Sequence, residues 1–112
     1  MHVLKPVSFR GSSLQDLRRF PDQMRREAGH QIDRLQHGFE PDDWNPMPSI
    51  GGGVREIRIR DSFGAFRVVY IAKFSAAIYV LHCFQKKSQK TAQRDLDLAS
   101  DRYRVLLMEM GL

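Results

Sequence analysis

A single cysteine, Cys83, stands among 112 residues, so the chain can build neither an intramolecular disulfide framework nor a cage of thiolates around a metal. It also lacks any uninterrupted apolar run approaching the roughly 20 residues of a membrane span. The opening Met-His-Val-Leu-Lys-Pro-Val has no apolar core of the length a secretion signal needs. The expectation is a soluble protein of the reducing cytoplasm, without a membrane partner. The histidines His2, His30, His37 and His82 are scattered without zinc-ligand spacing, which argues against a metal site. Gly51-Gly52-Gly53 lacks the Lys-Ser/Thr of a phosphate-binding loop and leads into a strand pattern, so it is a flexible joint and nucleotide hydrolysis is set aside. Cys83 sits inside an apolar run, where a thiol packs and does not react. No cofactor and no small-molecule partner is expected.

What the chain does contain is 42% hydrophobic residues, enough for one core in a domain that buries roughly two thirds of its unfolded surface. A single domain over residues 1–112 is the expectation. Its formal net charge of +5 is unevenly spread. Residues 1–50 hold seven basic and seven acidic side chains, and residues 91–112 hold three and four. Residues 51–90 hold eight basic groups, Arg55, Arg58, Arg60, Arg67, Lys73, Lys86, Lys87 and Lys90, against Glu56 and Asp61 alone. Basic side chains on strands often do no more than keep a sheet edge soluble. Here the charges come from several segments that a small sheet would gather, which favours an anionic partner such as nucleic acid phosphate.

The periodicities order the chain as strand, two helices, three strands, helix. A first strand over 3–9 is confined by Pro6 to an edge or a bulge. Gly11-Ser12-Ser13 supplies a turn and an N-cap for a short helix carrying Leu14, Leu17 and Phe20, and Pro21 ends it. The next helix places Met24, Ala28, Ile32 and Leu35 on one face, runs to about residue 37 and stops at Gly38. Residues 39–53 carry three prolines and three glycines and are expected to be one long loop. From Val54 the period becomes two, with Ile57 and Ile59 alternating with Glu56, Arg58 and Arg60. Asp61-Ser-Phe-Gly64 turns the chain into a strand over 65–72, where Arg67 shares a face with Val69 and Ile71. The strand over 76–84 is apolar on both faces, as a central strand would be, so periodicity leaves open which way His82 points. Thr91 is the expected N-cap of a final helix with Leu96, Ala99, Tyr103, Leu106 and Met110 as its buried stripe. This order predicts an α+β fold, β-α-α-β-β-β-α, with helices on one face of a mostly antiparallel sheet and the other face free for a ligand.

The chemistry open to such a surface is metal-independent phosphoryl transfer on a nucleic acid. Arginines hold a phosphate bidentately and stabilise charge building on its oxygens. A ribose 2′-OH then attacks its adjacent phosphate if one group takes the hydroxyl proton and another protonates the leaving oxygen. Glu56, His82 and a lysine of lowered pKa are the candidates for proton transfer. Glu56 is equally read as a cross-strand ion-pair partner that organises the arginines.

Three runs are familiar together: Gly53-Val-Arg-Glu-Ile-Arg-Ile-Arg60, Gly64-Ala-Phe-Arg-Val-Val-Tyr-Ile-Ala72 and Val80-Leu-His-Cys-Phe-Gln-Lys-Lys-Ser-Gln-Lys-Thr91. With the Phe20-Pro21 junction, Glu40-Pro-Asp-Asp-Trp44 and Arg94-Asp-Leu-Asp-Leu-Ala99, they resemble the phage-derived HigB branch of the RelE/ParE toxin superfamily over nearly the whole chain. The resemblance implies a toxin of a type II toxin-antitoxin pair with a RelE-like domain. Such a toxin enters the ribosomal A site, cleaves messenger RNA and is neutralised by a helix-turn-helix, HigA-like antitoxin. It further implies that Arg58 and Arg67 grip and polarise the phosphate. Lys86 or Lys87 would assist the leaving group or position the backbone, and Glu56 or His82 would serve as base. Arg55, Arg60, Lys87 and Lys90 complete the expected RNA-binding set. The competing readings are a ParE-like inhibitor of DNA gyrase on the same fold and an RNA-binding domain without catalysis.

Overall fold

Alternating side chains from Val54 onward form the centre of the molecule in a computed structural model, which describes residues 3–112; His2 lies outside them. The elements are β1 (Val7–Phe9), α1 (Ser13–Arg18), α2 (Asp22–Gln36), β2 (Trp44–Pro46), β3 (Val54–Asp61), β4 (Gly64–Ile71), β5 (Ile78–Lys86) and α3 (Gln93–Glu109). They build one five-stranded sheet in the order β1-β5-β4-β3-β2. All pairings are antiparallel except β1 with β5, which is parallel. The α+β class and the mostly antiparallel sheet are those expected from the sequence.

Three local expectations are corrected. The segment 39–53 is not a loop throughout, because Trp44, Asn45 and Pro46 pair with Ile57, Glu56 and Arg55 and add a fifth strand at the edge. Proline is tolerated there because the outer side of an edge strand needs no donor. The first strand is shorter than 3–9, beginning only after Pro6. The last helix is preceded by Ala92 at its N-cap, with no side-chain cap, so Thr91 does not fill that role.

A larger correction concerns the faces of the sheet. Helices α1 and α2 do cover one face, where Leu17, Phe20, Met24, Ala28 and Ile32 pack on Ile57, Phe66, Val68, Tyr70 and Val80. Helix α3 lies on the other face, with Ala99 and Leu106 against Val54, Val69, Ile71, Leu81 and Phe84. The cause is in the strands: β4 and β5 are apolar on both sides, and each side must be removed from water. Only the far end of the second face, where the apolar residues give way to arginine and lysine, remains open.

One side chain ties the layers together. Arg102 of α3 donates to the Leu81 carbonyl at 3.0 Å, to Ser12 Oγ at 2.9 Å and to His82 Nδ1 at 3.3 Å. Truncation as Arg102→Ala leaves these acceptors without their donor, and such losses cost about 1–3 kcal/mol for a buried group. Thermal denaturation followed by circular dichroism is expected to show a correspondingly lower Tm.

Candidate nucleic-acid interface

The open end of the second face is a grid set by strand register. Glu56, Arg58 and Arg60 point to one side of β3 because they are two residues apart. Across the ladder Glu56 faces Val69, Arg58 faces Arg67 and Arg60 faces Ala65. In the next strand Val69 faces His82, Arg67 faces Phe84 and Ala65 faces Lys86. The register slips between Val69 and Tyr70, leaving Leu81 without a partner in the ladder. This bulge shifts the phase of β5 by one residue. Val80 and Cys83 therefore both join the core under α1 and α2, while Leu81, His82, Phe84 and Lys86 share the opposite face.

Five cations meet at this grid. Arg58, Arg60 and Arg67, with Asp43, line a cleft of about 270 Å³. The same three arginines, with Lys86 and Lys87, line an adjoining cleft of about 410 Å³. Arg58, Arg60 and Lys87 are exposed and Lys86 is half-buried. None of these four has a carboxylate within 4 Å among the described residues. Like charges placed directly across a ladder repel, so Arg58 opposite Arg67 is a stability cost that an anion between them would relieve.

Beneath the cleft lies a buried pair. Arg67 is 3% exposed and Glu56 5%, with Arg67 Nε 3.7 Å from Glu56 Oε1. That distance is an ion contact and not a hydrogen bond. Arg67 Nη1 donates to the Phe66 carbonyl at 3.0 Å, while Arg67 Nε and Glu56 Oε2 have no hydrogen-bond partner. Burial raises the Glu56 carboxyl above its ordinary value; Arg67, then Lys86 and Arg58, and a hydrogen bond from Asn45 oppose this without overcoming it. Burial likewise lowers the Arg67 guanidinium, against the pull of Glu56 and with the repulsion of Arg58 and Arg60 added.

The other expected site residues separate from this group. His82 points to the same face but lies under α3, its Nε2 donating to Asp95 Oδ1 at 2.7 Å and its Nδ1 accepting from Arg102. With both ring nitrogens engaged and 4% exposure, it anchors the helix to the sheet. Arg55 faces the opposite side of the sheet, 4.0 Å over the Trp44 ring and 3.2 Å from Glu40. Lys90 is exposed in the segment between β5 and α3, and it lines neither cleft. Asp43, which sequence reasoning did not single out, enters the cleft because β2 brings its segment alongside β3; its carbonyl accepts from Arg58 N at 2.9 Å. Cys83 is buried and burial pushes its thiol pKa up, as a packed and unreactive cysteine requires. Among the described residues no cluster of His, Cys, Asp and Glu is placed to hold a metal ion, and no helix is long and apolar enough to cross a membrane.

Fold and grid together define a small α+β protein of the RelE fold whose sheet carries a cationic cleft. The solved structure of the free toxin RelE of E. coli, in a double arginine-to-alanine variant, superposes with a TM-score of 0.64 at 13% identity, over 93% of this chain and 99% of that one. The chain itself belongs to the family described as phage-derived protein Gp49-like, which its residues 15–104 match. No curated protein matches its sequence.

Proposed function

We propose that residues 1–112 act as one toxin domain of a type II toxin-antitoxin pair, of the HigB kind, working in the cytoplasm. In this reading the protein is a metal-independent endoribonuclease that cuts messenger RNA in the ribosomal A site, and a helix-turn-helix antitoxin related to HigA neutralises it. The observation that carries the reading is the juxtaposition of Arg58, Arg67 and Lys86 on adjacent strands, above a carboxyl whose pKa burial has raised.

The residues divide the chemistry as follows. Arg58 and Arg60, exposed at the rim, capture the phosphate, and Arg67 adds its charge from below. The ribose 2′-oxygen forms a bond to phosphorus as the bond to the 5′-oxygen breaks, leaving a 2′,3′-cyclic phosphate and a 5′-hydroxyl. Glu56, 5% exposed and lining neither cleft, holds Arg67 from below, and the 2′-hydroxyl proton passes to water in the open cleft. Lys86 supplies the proton to the departing 5′-oxygen, and Lys87 holds the backbone beyond it. His82, engaged at both nitrogens, takes no part in the transfer. An antitoxin that silences this surface has to cover the cleft or present carboxylates to it, since opposite charge steers and orients association.

Induced expression followed by mapping of message 5′ ends tests the reading. In-frame cuts within translated codons, bearing 5′-hydroxyl termini, are the expected result. Growth arrest with intact messages overturns it in favour of gyrase inhibition, and intact messages without arrest leave RNA binding alone.

A further inference from the structure

A second cleft, of about 730 Å³, opens where α1, β5 and the N-terminal half of α3 meet, and Lys87 lines both it and the cationic cleft. We propose that this second cleft holds the single-stranded RNA next to the scissile phosphate, the strand passing from one cleft to the other across Lys87. The inference rests on the cleavage reading of the first cleft and extends it to a separate set of residues.

Charge is the first support. Arg19, Lys87 and Arg94 line the cleft, drawn from α1–α2, the end of β5 and the first turns of α3. Lys87 and Arg94 are exposed and have no carboxylate within 4 Å among the described residues. Arg19 approaches Asp16 only to 3.9 Å with its side chain 80% exposed, so that contact holds it weakly. The same wall carries Asp16, which accepts from Ser12 Oγ at 2.8 Å, Asp95, which accepts from His82 at 2.7 Å, and Arg102, which is tied to the Leu81 carbonyl. With Arg102 the wall holds four cations against two carboxylates, so the cleft is net positive toward an anion.

Shape is the second. Phe20 and Phe84 are 6% and 8% exposed, so they give the cleft an apolar base and not rings on which a nucleobase stacks. A cationic groove that tracks the backbone is the part of single-strand recognition this cleft supplies. A volume of about 730 Å³ lies within the roughly 300–1,000 Å³ of ligand-sized sites and exceeds what a lone phosphate needs.

The test is fluorescence anisotropy with 2′-O-methyl RNA, which cannot be cleaved, as a trinucleotide and a nonanucleotide over a range of salt. The native chain is expected to bind the longer probe more tightly. In Arg19→Ala/Arg94→Ala that gain is expected to fall about tenfold, with a salt slope smaller by about 1.4, while trinucleotide binding stays native. A length-dependent gain that survives the double variant, or is missing in the native chain, overturns the inference. So does loss of antitoxin binding with the gain intact, which would assign the cleft to a protein. The parent reading fails separately, if Arg58→Ala/Lys86→Ala leaves trinucleotide binding unchanged. Both Arg19 and Arg94 are exposed, and circular dichroism checks that the variants fold.

Discussion

Changing Arg58 and Lys86 together to alanine is expected to lower message cleavage by at least about 10²-fold, the scale of losing one group that stabilises transition-state charge. The fold should be unharmed. Arg58 is exposed, Lys86 is half-buried and neither has an ion-pair partner within 4 Å among the described residues. Substitutions at such positions usually move stability by no more than about 0.5 kcal/mol. Removing Arg58 relieves its repulsion with Arg67 directly across the ladder, which offsets the attraction for buried Glu56 that is lost with Arg58 and Lys86, so the variant should melt close to the native protein and well above Arg67→Ala. Cleavage lost while Tm is kept places the activity in the cleft. Cleavage retained at native levels, measured by the same end mapping at matched protein amounts, would falsify the assignment.

Arg67→Ala has a different expected outcome, because Arg67 is 3% exposed and faces a carboxyl that is 5% exposed. Removing one partner of a buried pair leaves the other charge uncompensated and typically costs about 3–5 kcal/mol. The cost depends on pH. Arg67 is the largest of the attractions that hold the Glu56 carboxyl down against burial, so its loss raises that carboxyl further. A carboxyl raised in the folded state binds its proton more tightly there than in the unfolded chain. Its contribution to stability is present below the unfolded value and is lost as pH rises through the folded value. The Tm gap between native and Arg67→Ala proteins should therefore be small in mild acid and widen toward neutral and alkaline pH. A gap independent of pH would show that Glu56 does not respond to Arg67. The pair also explains why Arg58 with Lys86, and not Arg58 with Arg67, separates chemistry from folding.

Much of this architecture is legible in the residue order. The switch from a period near 3.6 to a period of two at Val54 locates the helices and the central hairpin. Two-residue spacing alone puts Glu56, Arg58 and Arg60 on one face, and the Asp61–Gly64 turn sets Arg67 opposite Arg58. The strand Trp44–Pro46 is hidden because Pro46 and the flanking Pro41 and Pro48 read as loop, and edge pairing made by the partner strand leaves no periodic signal in three residues. Arg19 and Arg94 escape a count of charge along the chain because each sits in a segment whose charges nearly balance.

Composition and spacing, then, determined the class of fold, the cationic character of residues 51–90 and the face shared by Glu56, Arg58 and Arg60. Local alternation fixes these wherever a strand is apolar on one side and charged on the other. The tertiary structure alone decided the orientation of β5, which is apolar on both sides and so carries no phase of its own. Unpaired Leu81 turns His82, Phe84 and Lys86 to the second face, where α3 covers His82 and leaves Lys86 open beside Arg67. Which cations stand free and which groups are buried depends on that one-residue bulge and on where α3 lands, and both follow from packing between segments far apart in the chain.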